Sequence, residues 1–195
     1  MTLREANWTR TNVHHIVLSW LKAEGDRLAE KQPLTGMSDE EIARLLEIAD
    51  LADADQNRLR LRLLYWIRNV FVLEIPPDTE WHLVRNLRHE NICELRAVNA
   101  VSWTDPSDKN ELSCVADRKR LPMLRPISEW ETPILWGHDH DGPFTILEGN
   151  NRLVSYASSG GTDLDLPVFI GLSSIKNQYH LPDGAGPLVR DTLNI

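Results

Sequence analysis

The chain has 195 residues, 42% of them hydrophobic and 26% charged, with a formal net charge of −8; this is the profile of a globular protein with one good core, or of one domain with a helical extension. That acidity argues against a protein whose affinity rests on a broad Lys/Arg surface laid along a phosphate backbone, though it leaves room for a local basic patch. The polar start MTLREANWTRTNVHH argues against a signal peptide, no apolar run reaches membrane-spanning length, and the two cysteines, Cys93 and Cys114, fit a reducing compartment, so a cytoplasmic location without membrane contact is expected.

Val13, Ile16, Val17, Trp20, Leu21 and Leu28 recur at helical spacing and predict one amphipathic helix over 11–31, broken by Pro33 and Gly36. Ser38 to Glu41 reads as a capping box, with Ile42, Leu45, Leu46 and Ala49 as the buried stripe behind it. A further helix starts near Asp53 or Asp55 and carries Leu59, Leu63, Ile67, Val70 and Phe71. Its arginines, Arg58, Arg60, Arg62 and Arg68, suggest a nucleic-acid face. In so acidic a chain the expected reading is a solvated face neutralised by nearby carboxylates. Pro76-Pro77-Asp78 ends this helical region, which gives a helical unit over 1–75 and a mixed unit over 76–195.

In the second unit 81–87 alternates as a weak strand, 92–101 suits a helix or a strand, 109–120 suits a helix, and 121–130, with Pro122 and Pro126, reads as an irregular connection. Two apolar runs, 134–136 and 144–147, are joined by a polar link ending in Asp141-Gly142 and predict a β-hairpin. The second strand stops at Glu148-Gly149. Asn150-Asn151-Arg152 then opens a helix that ends at Gly160-Gly161, and 166–170 is a further strand. The fold class expected is α+β, a small mixed sheet domain preceded by an α-helical region.

The segment Glu148-Gly149-Asn150-Asn151-Arg152 is the expected functional centre. The first N–H groups of a helix have no intrahelical partner and carry partial positive charge, a ready site for phosphate or carboxylate. Gly149 would let the backbone approach a ligand, and Arg152 would close on the anion with its planar fork. Glu148, repelled by phosphate unless it holds a metal or a proton, is the candidate Mg²⁺ ligand or general base. The competing reading is plain N-capping by Asn150. His138 and His140 would share one side if their strand continued and are candidate ligands for a transition metal; Asp141-Gly142 argues instead for an ordinary polar turn.

Strand, Glu-Gly-x-x-Arg, helix, glycine and a following Leu166-Pro167-Val168-Phe169-Ile170 strand together resemble the ParB/sulfiredoxin-like superfamily, once called the ParB-like nuclease fold. The resemblance covers 132–172 and, more loosely, 83–183. It implies that the polar turn binds the phosphates of a nucleotide, ATP or another, with Mg²⁺ assisting. The implied function is a nucleotide-dependent phosphotransferase or hydrolase acting on a small molecule. Sulfiredoxins carry a cysteine directly after the glycine, where this chain has Asn150, so sulfinic acid reduction lacks its nucleophile here. Many members also have His or Arg where Asn151 stands. Two alternatives follow: a non-catalytic ligand-binding or regulatory module whose helical region meets a protein partner or forms a homodimer, and a nuclease or DNA-binding relative, which the acidity disfavours.

Overall fold

In the computed structural model, which describes residues 6–97, 111–123, 126–160 and 167–175, contacts divide the chain into two compact units. One is Thr11–Ile75 and the other is Met1–Arg10 with Pro76–Ile195. The fold is α+β, with seven α-helices and five strands among the described residues.

The helical unit begins with α1 (Val13–Ala23), whose Asn12 side chain accepts from His14 N at 2.6 Å and whose Ile16, Val17, Trp20 and Leu21 are buried. A single helix over 11–31 is not what forms. The chain breaks at Glu24 (φ −99°, ψ 21°), and α2 (Gly25–Thr35) follows. At the break the Glu24 carboxylate, 6% exposed, turns inward to accept from Arg68 Nε at 2.6 Å and to pair with its Nη2, and Gly25, a weak helix former, follows it. Position 33 does not stop α2, which runs on to Gly36 in the left-handed conformation (φ 71°).

The capping box of α3 (Asp39–Glu47) forms as the spacing predicts. Ser38 Oγ accepts from Glu41 N at 3.2 Å, and Glu41 Oε2 accepts from Ser38 N at 2.7 Å. Ser38→Ala is expected to lower stability by about 1 kcal/mol in urea unfolding, since it orphans one helix-terminal donor. Helix α4 (Ala54–Glu74) starts at Asp53, whose Oδ1 accepts from Asp55 N and Gln56 N at 2.9 and 3.0 Å. It kinks at Arg68, whose φ of −135° is not helical.

The four arginines of α4 do not form one solvated face. Arg60 is wholly buried at 0% exposure and Arg68 is bound to Glu24. Only Arg58, paired with Asp55 at 2.8 Å, and Arg62, over the Trp66 ring at 5.7 Å, lie on the exposed side. Helical periodicity misreads Arg60 because a guanidinium can be buried where acceptors meet its donors, here the carbonyls of Leu45 and Asp50 and the side-chain amides of Asn57 and Gln56.

The mixed unit contains β1 (Asn7–Arg10), β2 (Glu80–Arg85), α5 (His89–Cys93), α6 (Leu112–Lys119), a 3₁₀ turn (Ile127–Glu129), β3 (Ile134–Gly137), β4 (Thr145–Glu148), α7 (Asn150–Ser158) and β5 (Val168–Leu172). The sheet order is β1-β2-β5-β3-β4, with β3 and β5 parallel and the other neighbours antiparallel. Residues 7–10, which sequence groups with the helical region, are thus the edge strand of this sheet, with Trp8 opposite Val84. Strand β2 stops at Arg85 because Asn86 is left-handed (φ 63°). The ambiguous stretch 92–101 is a short helix up to Cys93 followed by Arg96, which bridges to Glu111 and Thr145; 98–110 lies outside the described residues.

Alternation sorts the sheet into two apolar faces. Val84, Leu135, Ile146, Val168 and Ile170 share a core with Leu112 and Val115 of α6 and Leu153 and Val154 of α7. Trp81, Ile134, Trp136 and Phe169, on the alternate positions, are buried too, the near-continuous apolar pattern of strands covered on both sides. Gly171 makes room there, because a Cβ would stand 2.8 Å from the Trp81 ring.

Candidate functional site

The β4–α7 turn is built by two conditions on one residue. Glu148 closes β4 opposite Ile134, and Gly149 then reverses the chain with φ 96° and ψ 14°. A Cβ at Gly149 would also lie 3.0 Å from Pro133 Cβ and 3.5 Å from Arg152 Nη2. Both the left-handed backbone and the close approach therefore call for glycine. Helix α7 begins immediately, with Leu153 N donating to Gly149 O at 2.9 Å.

Asn150 does not cap this helix. Its Nδ2 donates to Ile146 O at 3.1 Å, which ties the helix start to β4, and the N-cap position belongs to Gly149 without a side-chain bond. Asn151 is exposed at the mouth of the turn. Arg152 points inward: Nη1 donates to Glu131 O at 2.6 Å, and Nη2 forms an i,i+4 ion pair with Glu148 Oε2. The two side chains are only 22% and 12% exposed, so solvent screens this pair less than a surface bridge. One guanidinium thereby joins the approach to β3, the end of β4 and the first turn of α7. The carbonyl of Glu131 and the Pro133 wall carry no recognisable sequence signal, and only the folded chain reveals them.

His138 and His140 do not converge. Strand β3 ends at Gly137, so the alternation that would place them on one side is not maintained. His138 Nδ1 is 2.9 Å from Ser173 O, whereas the His140 ring packs on Trp8 at 4.6 Å. Among the described residues no group of three or more His, Cys, Asp or Glu side chains could hold a metal ion, and neither imidazole is assigned as a ligand here. Cys93 lies 3.4 Å from His89 Nε2; burial, with Glu94 and Asp117 nearby, pushes its thiol up and away from reactivity. By sequence, Asn99, Trp103 and Asp105, and Tyr179, His180 and Asp183 near the C-terminus, are further candidates to reach such a pocket; all six lie outside the described residues.

No family model matches this chain, and neither a curated protein nor a solved structure matches it. Among the described residues no helix is long and apolar enough to cross a membrane.

Proposed function

We propose that the protein binds a nucleotide or another phosphate-bearing small molecule at the β4–α7 turn, as a divergent member of the ParB/sulfiredoxin-like superfamily, and acts as a nucleotide-dependent phosphotransferase or hydrolase. The observation that carries this reading is the left-handed Gly149 between Glu148 and the nine-residue helix α7, with Arg152 folded back beside it. Backbone amides at the start of α7 supply the positive potential, and Arg152 supplies a planar donor set suited to phosphate. The Glu148–Arg152 pair sums to zero charge. A phosphate therefore gains from Arg152 only by taking Glu148's place, or when Glu148 is neutralised by a cation. One carboxylate together with the ligand's own phosphates suits Mg²⁺, an oxygen-seeking ion that keeps several waters. When bound, that ion would neutralise charge developing on the transferred phosphoryl group.

Thermal unfolding of the full chain with ATP, CTP and GTP, each with Mg²⁺, tests the proposal. A ligand at a hundredfold excess over its Kd stabilises by about 2.7 kcal/mol, a rise of roughly 5–10 °C in Tm for a chain of this length. The rise is expected to vanish in Arg152→Ala, compared with that variant's own ligand-free Tm. No rise with any nucleotide, or a rise that survives Arg152→Ala, would count against it.

A second reading, a binding or regulatory module without turnover, draws on the same geometry. Glu148, the candidate base, is engaged by Arg152, and Asn150 and Asn151 are unionisable, with the Asn150 amide committed to Ile146 O. Nucleotide-dependent stabilisation without phosphate release would favour this reading over the enzyme.

A further inference from the structure

Strand β1 is held by more than its ladder. Trp8 is its one side chain that is not exposed. Its ring sits among His82 of β2, His140 of the β3–β4 link and Phe144, with centroid separations of 5.4, 4.6 and 6.5 Å. The two imidazoles are themselves 6.2 Å apart. His82 Nδ1 is buried and has no hydrogen-bond partner among the described residues. A neutral imidazole can leave that nitrogen as an unused acceptor at modest cost. An imidazolium cannot, because both nitrogens then become donors and the charge has lost its water.

The surrounding charges do not relieve the problem. Strand β1 contributes Arg10, which pairs at 3.7 Å with Glu80 of β2 across an exposed surface. The β3–β4 link contributes His140 and, flanking it, Asp139 and Asp141, where the Asp139 carboxylate accepts from Asp141 N at 2.8 Å. His138 on the same link is turned to Ser173 O, and β5, which pairs with β2 on its other side, reads VFIGL and carries no titratable group.

We propose that β1 is an acid-released latch: protonation of His82, packed against Trp8 and His140, unseats Trp8 and frees β1 from β2. Desolvation, joined by His140 and Arg10 and opposed by Glu80, holds His82 below its ordinary value of 6.5. The released His82 therefore takes a proton at a pH where the seated one does not. Seating is at full strength above 6.5 and weakens as the pH falls below it. The strand released is short, four residues paired to β2 alone, so the loss of one aromatic seat is a large part of what holds it.

Amide hydrogen exchange of the full chain at about pH 7.5 and about pH 5.5, corrected for the intrinsic pH dependence, reads the latch directly. Protection of amides 7–10 and 82–85 is expected to fall several-fold at the lower pH relative to β3 and β5, with about tenfold as the ceiling set by a released histidine one pH unit below 6.5. His82→Gln combined with His140→Gln is expected to abolish that difference. Should the double variant fold poorly, an NMR titration of the His82 ring in the unaltered chain serves instead, and it is expected to titrate below a free histidine. Equal protection at the two pH values, a difference that persists in the folded double variant, or a His82 that titrates at or above a free histidine would each overturn the latch.

Discussion

Arg60→Ala is expected to destabilise the helical unit by about 3–5 kcal/mol, because it removes four hydrogen bonds of a buried cation, leaves their acceptors buried and opens a void. Arg60 has no exposed surface. Its Nε donates to Leu45 O at 2.8 Å, Nη1 to Asp50 O at 3.2 Å and to Asn57 Oδ1 at 2.7 Å, and Nη2 to Gln56 Oε1 at 2.7 Å. These bonds tie the end of α3 and the turn that follows it to the first turns of α4. Among the described residues no carboxylate pairs with the guanidinium. Burial pushes its pKa down, and Asp53 and Asp50, acting at a distance, oppose that shift.

Alanine would remove every donor while leaving the carbonyls buried, and would also leave a void. Arg60→Met fills much of the void without restoring a bond, so it is expected to recover about 1–2 kcal/mol of the loss. Urea unfolding followed by helical circular dichroism measures both variants. Hydrogen exchange in α3 and α4 assigns the loss to this unit, because a two-unit chain need not unfold in one step. A loss under about 1 kcal/mol for the alanine variant would mean that the network contributes little net stability.

Gly149→Ala is expected to cost about 2–3 kcal/mol and to weaken nucleotide binding together with the fold. Two terms add here. The backbone angle of 96° disfavours any L side chain, and the new methyl would press on Pro133 at 3.0 Å while standing 3.5 Å from Arg152 Nη2. Gly160 separates the terms: its φ is 68° and nothing lies within 4 Å of the added carbon. Gly160→Ala should therefore cost only the conformational part, about 1 kcal/mol. The difference between the two losses combines the packing of Pro133 against the turn with the extra strain of 96°, which lies outside the narrow left-handed range open to L residues that 68° still occupies. The displaced Arg152 should appear separately, as a smaller nucleotide-induced rise in Tm. Equal losses at the two glycines would show that the Pro133 contact yields without resistance, and the turn would then be less rigid than the Arg152 clamp requires.

The candidate site is legible in the sequence to the extent that its determinants are neighbours. A glycine after an apolar run and before helical spacing announces the β4–α7 turn, and Ser38 and Glu41 announce the start of α3, because each rests on contacts three or four residues apart. The direction of Arg152 is not legible. Sequence offers it to a ligand, whereas the fold gives it Glu148 one turn away and a carbonyl at Glu131, 21 residues distant.

The same division runs through the whole chain. Local spacing by itself determined the helical character of residues 13–74, the hairpin of β3 and β4, and the glycine that opens α7, since periodicity and turn chemistry are short-range properties. Tertiary structure decided that Glu24, at the break before Gly25, turns inward to a partner, Arg68, 44 residues away. It decided that Arg60 is interior, that residues 7–10 form an edge strand opposite β2, and that β5 inserts between β2 and β3. Burial of a charge and pairing of strands depend on which surfaces meet once the chain has folded, and no window of a few residues contains that information.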